Sequence, residues 1–308
     1  DARRVADKLG IRHYVVSMRK ALQEHIIRDF INEYLCGHTP NPCVRCNEFL
    51  KFGILLKKAI SLDARYLATG HYARIIEESP RHHVTTSQVY TLEKAKDKKK
   101  DQSYFLYRLN QYQLKHALFP LGEYTKPQVR SMARKAALAV ADKAASQEIC
   151  FLPGADYRPF LENNIKKIIK PGPILDSKGN ILGGHKGTPF YTIGQRQGLG
   201  IALGYPVYVS RIEPRTNSIF VGQRDELLKR EFLVKDVHLN SKPVKKKIAL
   251  RVRIRYNHKE APATIEVMGN KIRVVFKKPQ FAVTPGQSAV FYDRDRVYGG
   301  GIIDEVIK

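Results

Sequence analysis

No stretch of this 308-residue chain approaches twenty uninterrupted apolar residues, so the sequence predicts no membrane-spanning helix. Cysteine is scarce: Cys36, Cys43, Cys46 and Cys150 are the only four, too few for a disulfide scaffold at this length. No secretory signal opens the chain, which starts Asp1-Ala2-Arg3-Arg4 without a methionine. Reduced thiols in a cytoplasmic or organelle-matrix protein are therefore expected, from a chain that is not complete at its start. No internal repeat is found. Acidic residues are also few: 29 Asp plus Glu face 54 Lys plus Arg, for a net charge of +25. A surplus of that size favours a polyanion partner, because each cation set near a phosphate releases condensed counterions. Nucleic acid ranks ahead of an acidic membrane surface.

What is present is ordinary for a globular protein. Hydrophobic residues make up 43%, enough to bury two or three cores over this length. The first half alternates helix and strand patterns. Residues 1–10 read as the end of a helix closed by Gly10, and His13-Tyr14-Val15-Val16 as a short buried strand. Leu22, Ile26, Ile27, Phe30, Ile31 and Leu35 recur at helical steps, and that helix stops near Gly37. Each proline of Thr39-Pro40-Asn41-Pro42-Cys43 pushes its predecessor toward extended geometry, so this stretch reads as loop, with helix resuming at about Cys46 and running to Leu62. Tyr66-Leu67-Ala68-Thr69 is the next strand, ending in Gly70-His71. This order implies a parallel sheet covered by helices, with ligands gathering at the carboxyl ends of its strands, beside Gly70 and His71. Residues 76–101 read as irregular and close on a lysine-rich run from Lys94 to Asp101, a solvated loop able to touch phosphates. A helix is predicted over 126–138, with Thr125 as its cap and Pro127 in its first turn.

Beyond about residue 160 turn signals crowd in, and the last eighty or so residues alternate as strands. Ala249 to Tyr256 places apolar residues on one face and arginines on the other, as a half-buried antiparallel strand does. About six such segments fit a small barrel.

Three clusters could carry chemistry. Asn41-Pro42-Cys43-Val44-Arg45-Cys46-Asn47 puts a thiol at an expected helix N-terminus beside a cation, where a thiolate is stabilised. The same spacing serves as a zinc half-site or a redox pair, or the thiols are buried and inert. Cys150, within Ser146-Gln147-Glu148-Ile149-Cys150-Phe151, reads by itself as a small core residue, and only the company of Cys46 lifts it toward chemistry. Lys100-Asp101-Gln102-Ser103-Tyr104-Phe105 is either a helix start or a polar contact with RNA.

Eight segments, in order along the chain, resemble the tRNA-specific 2-thiouridylases. They are Thr39-Pro40-Asn41-Pro42 with Cys46-Asn47; Ala68-Thr69-Gly70-His71-Tyr72-Ala73-Arg74; Lys100-Asp101-Gln102-Ser103-Tyr104-Phe105-Leu106; Phe119-Pro120-Leu121-Gly122; Val140-Ala141-Asp142-Lys143; Ser146-Gln147 with Ile149-Cys150-Phe151; Tyr191-Thr192-Ile193-Gly194-Gln195-Arg196; and Thr284-Pro285-Gly286-Gln287. The resemblance implies that ATP with Mg adenylates O2 of a wobble uridine in tRNA, and that a cysteine-borne sulfur then replaces the adenylate. By position, Cys46 matches the nucleophilic cysteine and Cys150 the persulfide carrier, with a disulfide between them to be reduced after turnover. Asn41, Pro42 and Cys43 match the segment that meets the target base. Lys100, Asp101, Gln102, Arg255 and Tyr256 match tRNA-contacting positions, and Gly70 an ATP-contacting glycine. A sulfur donor or relay protein is the further partner implied.

The resemblance also sets the architecture expected: an α/β ATP-pyrophosphatase-like domain with a parallel sheet over 1–160, incomplete at its N-terminus, a small mixed central domain over 161–228, and an antiparallel β-barrel over 229–308 for tRNA. Two departures stand out. The family's Ser-Gly-Gly-x-Asp-Ser phosphate loop is missing, so the chain is expected to start downstream of it and, as written, not to turn over. Cys43 stands where many family members carry aspartate, so Cys43, Cys46 and Cys150 are candidate ligands for a [4Fe-4S] cluster with one open iron. The rivals are a tRNA-binding protein that has lost its nucleotide loop, and a basic zinc or thiol-redox protein.

Overall fold

The computed structural model describes residues 1–78, 88–143, 149–152, 154, 156–165, 169–240 and 245–307. They form two compact units between which the chain passes more than once: Asp1–Gln23, Val44–Glu148 and Asp295–Val297 in the first, and Glu24–Cys43, Ile149–Arg294 and Tyr298–Lys308 in the second.

In the first unit the helix Ala2–Leu9 ends at Gly10, whose φ of 63° lets its N–H reach back to the carbonyls of Ala6 and Asp7. The strand expected at His13–Val16 does not form. No strand pairs with it among the described residues, and Tyr14 and Val15 are 75% and 77% exposed; without a ladder an apolar run has nothing to hold it extended. The parallel sheet is the pair β1 (Leu67–Ala68) and β4 (Ala117–Leu118). Between them in sequence lie β2 (Ala73–Glu78) and β3 (Val89–Lys94), an antiparallel pair in register from Ala73 with Lys94 to Glu78 with Val89. This corrects the irregular reading of 76–101. The alternation of Val89 to Lys94 is short, and the lysine run that follows hides it. Nor is that run a solvated loop throughout, since Lys94, Ala95 and Asp101 are buried.

The helix bearing Cys46 starts four residues earlier than expected, at Pro42, and continues to Ile60 with a π-helical stretch over Cys46–Leu55. Pro42 opens it because the first helical position needs no N–H and accepts the fixed φ of proline. The helix predicted over 126–138 spans Lys126–Lys135. At its start Gln128 Oε1 accepts from the Thr125 N–H at 2.8 Å, one half of a capping box.

The second unit carries a four-stranded sheet and a barrel. The sheet runs β6 (Ile181–His185), β5 (Gly172–Leu175), β8 (Ser218–Gly222), β7 (Tyr208–Glu213), with β5 and β8 parallel. Ile174, Val209, Ile219 and Val221 fill its core. In the barrel, β13 (Ser288–Asp293), β10 (Lys247–Arg253), β11 (Ala261–Met268), β12 (Lys271–Phe281), β9 (Leu228–Leu239) and β14 (Arg296–Val306) follow in that order, and pairing of β13 with β14 closes it. Phe232, Val252, Ile265, Val274, Phe276 and Phe291 are buried inside, as strand alternation requires. Among the described residues no helix is long and apolar enough to cross a membrane.

Candidate functional site

The helix start at Pro42 changes the setting of the thiols. Cys43 falls in the first turn, and Cys46 one turn further in, so Cys46 is not the terminal residue that the loop reading made it. Nor is Arg45 directed simply at Cys46. Its guanidinium lies 3.4 Å from Glu48 Oε2 and over the Phe49 ring at 5.7 Å. Among the described residues no cysteine is joined in a disulfide; Cys43 and Cys46 are half-buried, and Cys36 and Cys150 are exposed.

In the first unit the Cys46 helix is pinned along one side. Asn47 Nδ2 donates to the Phe105 carbonyl at 3.1 Å, Arg108 Nε to Glu48 Oε2 at 2.7 Å, and Gln113 Nε2 to the Phe52 carbonyl at 2.9 Å. The segment from Lys100 onward is thus built against this helix. Lys100 is half-buried. Asp101 is buried, and its carboxylate accepts from the N–H of Ala95 at 3.0 Å, the N–H of Ser103 at 3.2 Å and the Ser103 hydroxyl at 2.9 Å. Gln102 exchanges bonds with Tyr72: its N–H donates to the Tyr72 carbonyl at 2.7 Å, and its Oε1 accepts from the Tyr72 N–H at 2.9 Å. Asp101 and Gln102 therefore shape the turn that presents Lys100.

Gly70 follows the carboxyl end of β1 and is exposed. Among the described residues a Cβ built on it would meet only Leu121 Cδ1, at 3.7 Å, and its φ is not left-handed. Neither packing nor backbone demands glycine there, so the missing side chain leaves room for something approaching from outside, as a nucleotide would. Next to it His71 is buried, its Nδ1 2.7 Å from Thr69 Oγ1 and its Nε2 3.5 Å from Lys51 Nζ. Burial first, and the Lys51 charge second, push its pKa down to about 3.

In the second unit, Asn41, Pro42 and Cys43 follow a loop held by the barrel motif Thr284-Pro285-Gly286-Gln287. The Thr39 N–H donates to the Pro285 carbonyl at 2.9 Å. Cys150 lies in a turn where Leu152 N–H donates to the Ile149 carbonyl at 3.0 Å. Phe151 sits edge-on to Phe30 with ring centroids 5.3 Å apart, and Leu152 is buried with Phe30 and Tyr34. The neighbours anchor the turn while the thiol stays outside, which removes the small-core-residue reading of Cys150. Ser146, Gln147 and Glu148 of that motif lie outside the described residues.

Arg255 and Tyr256 belong to the turn after β10, because the strand ends at Arg253. Arg255 Nη2 donates to the Phe281 carbonyl at 3.0 Å; the Tyr256 carbonyl accepts from Arg253, whose guanidinium lies 5.2 Å from the Tyr256 ring. Among the described residues, no group of three or more His, Cys, Asp and Glu side chains could hold a metal ion.

Two features escaped sequence reasoning. Lys51 is one: a lysine on the packed side of an amphipathic helix, four residues after buried Asn47, was the signal for it. The other is the docking of Gln287 on the loop before Asn41, which no local pattern announces.

Comparison with known proteins accounts for the same segments. Residues 1–154 match the model of the tRNA methyl transferase HUP domain, 158–223 that of the tRNA methyl transferase PRC-barrel domain, and 229–303 that of the aminomethyltransferase β-barrel domain. The chain is 50% identical over 307 residues to the tRNA-specific 2-thiouridylase MnmA of Halothermothrix orenii, covering 99% of this chain and 84% of that protein. With the protein of the same name from Carboxydothermus hydrogenoformans it shares 48% over 307 residues, 99% of this chain and 82% of the relative. With MnmA 1 of Clostridium botulinum it shares 44% over 309 residues, 100% of this chain and 85% of the relative. Identity of this depth over nearly the whole length places the chain in the tRNA-specific 2-thiouridylase family.

Proposed function

We propose that this protein converts a wobble uridine of tRNA to 2-thiouridine, using ATP with Mg to adenylate uridine O2. Cys150 carries the incoming sulfur as a persulfide. Its outer sulfur attacks C2 as the C2–O2 bond breaks and AMP leaves. The Cys46 thiolate then attacks the Cys150 sulfur, the sulfur–sulfur bond to the base breaks, and its electron pair stays on the new 2-thio group. The resulting Cys46–Cys150 disulfide is reduced by an external thiol. One thiolate that holds sulfur and another that releases it is what this transfer requires. A sulfur-donor protein loads Cys150, in the reducing setting of a cytoplasm or organelle matrix. Asn41, Pro42 and Cys43 meet the base, Gly70 meets ATP, and Lys100, Arg255 and Tyr256 contact tRNA. Asp101 and Gln102 take part in this by holding Lys100. In this reading 1–160 is the catalytic part, 161–228 the central part and 229–308 the tRNA-gripping barrel.

The observation that carries the proposal is the 50% identity to a 2-thiouridylase over 99% of the chain. Its test is nucleoside analysis of tRNA incubated with the full-length protein, ATP, Mg, a persulfide-bearing sulfur donor and a thiol reductant. ATP-dependent 2-thiouridine is the expected product. Binding of tRNA with no thiolation would instead point to a non-catalytic RNA-binding protein.

A further inference from the structure

Lys51 is a half-buried ammonium whose neighbours solve their charge problem differently. Arg45 and Arg108 both reach the Glu48 carboxylate, at 3.4 Å and 2.7 Å. Lys51, on the same helix, has no carboxylate in reach among the described residues; its polar partner there is His71 Nε2, at 3.5 Å. An ammonium has donors only, so it binds the lone pair of Nε2, and His71 must carry its proton on Nδ1, where Thr69 Oγ1 at 2.7 Å accepts it. Phe52 and Phe119 flank the imidazole, with centroids 6.0 Å and 5.8 Å away. The ring is therefore fixed in place and neutral. A cation drawn out of water against a single neutral acceptor is a net cost unless an anion completes it.

The place where that anion would arrive is on the same unit. Lys51 meets His71 directly after Gly70, at the carboxyl end of β1 where it pairs in parallel with β4. This is the end of a parallel sheet at which ligands collect, and Gly70 leaves the approach open. We infer that Lys51, steered by neutral His71, is a catalytic residue that binds the α-phosphate of the adenylyl group transferred from ATP to uridine O2. The inference rests on the thiolation reading above. Uridine O2 attacks the α-phosphorus; the O2–P bond forms while the bond to the leaving pyrophosphate breaks and takes its electron pair. The uridine N3 proton passes to water. Lys51 keeps its proton throughout and offsets the charge growing on the phosphoryl oxygens. His71 is a positioning residue in this step, acting through Lys51.

Two measurements test this. In the full-length protein without a sulfur donor, tRNA-dependent release of pyrophosphate from ATP reads adenylation alone. Lys51→Met is expected to lower that rate ~10²–10³-fold, the usual cost of deleting one preorganised charge donor, with tRNA affinity within about twofold; Lys51→Arg should recover at least ~10-fold of the loss, because the charge is kept. Unchanged pyrophosphate release in Lys51→Met would overturn the inference. The second measurement needs no variant: acetylation of Lys51 by acetic anhydride, followed by peptide mapping, with and without ATP and Mg. Several-fold protection by ATP is expected, and equal labelling would overturn the assignment. ATP protection of Lys51 together with an absence of 2-thiouridine in tRNA would refute the thiolation reading while leaving the phosphate contact of Lys51 in place, so the two failures are distinguishable.

Discussion

Gln287 Nε2 donates to the carbonyl oxygen of Thr39 at 2.9 Å and to that of Pro40 at 3.3 Å. The barrel residue thereby holds the two carbonyls that precede Asn41 and the helix opening at Pro42. Gly286, beside it, has a φ of 88°, and a Cβ there would lie 2.8 Å from His38 Cβ and 2.9 Å from the Thr39 nitrogen. The motif Thr284-Pro285-Gly286-Gln287 thus has a structural explanation: the backbones come too close for a side chain.

Gly286→Ala should accordingly cost about 2 kcal/mol or more, from a left-handed backbone and a contact that must open. Gln287→Ala should cost only about 1 kcal/mol, the net worth of a typical hydrogen bond, but should speed amide exchange at Thr39. Urea unfolding and exchange rates check both; equal stability of the two variants would contradict the packing argument.

Asp101→Ala should destabilise by about 2–4 kcal/mol, since it strands the buried N–H groups of Ala95 and Ser103 together with the Ser103 hydroxyl. Asp101→Asn keeps an acceptor and should lose less. Chemical unfolding reads this directly, and a loss of tRNA binding at unchanged stability would instead make Asp101 a direct contact.

His71 sets an acid limb on stability. Its folded pKa of about 3 lies below its ordinary value of 6.5. Between those values the unfolded chain binds a proton that the folded chain refuses. Stability is therefore complete above pH 6.5 and falls as the pH drops toward 3, with a limiting slope of about 1.4 kcal/mol per pH unit from this residue. His71→Gln should flatten that limb. In the parent protein the His71 imidazole resonances should not move between pH 5 and 8; a midpoint near 6.5 would contradict its neutral, buried state.

How far the sequence discloses this depends on which force shapes each element. Wherever side-chain period decided the structure, the pattern was readable: the helix through Ile26, Phe30 and Ile31, and the barrel strands with Leu250 and Val252 inside. Tyr14 and Val15 look like a strand by hydrophobicity, yet a strand exists only with a paired neighbour, which period cannot report. Pro42 reads as a breaker by its effect on Asn41, whereas its own position suits a first helical turn. Lys51 and His71 lie twenty residues apart, and only tertiary packing brings an ammonium to a neutral imidazole. The chemical roles of Cys46 and Cys150 come from family resemblance; the structure adds that Cys150 is presented outward on an anchored turn.

The division of labour between those two thiols is the centre of the account. It is tested most directly by mapping persulfide on the protein and 2-thiouridine in its tRNA from the same reaction, in the parent, Cys46→Ser and Cys150→Ser proteins. The account predicts a persulfide on Cys150 in the parent and in Cys46→Ser, none on Cys46 in Cys150→Ser, and 2-thiouridine in the parent alone. Thiolated tRNA made by Cys150→Ser, or a persulfide carried on Cys46, would contradict it.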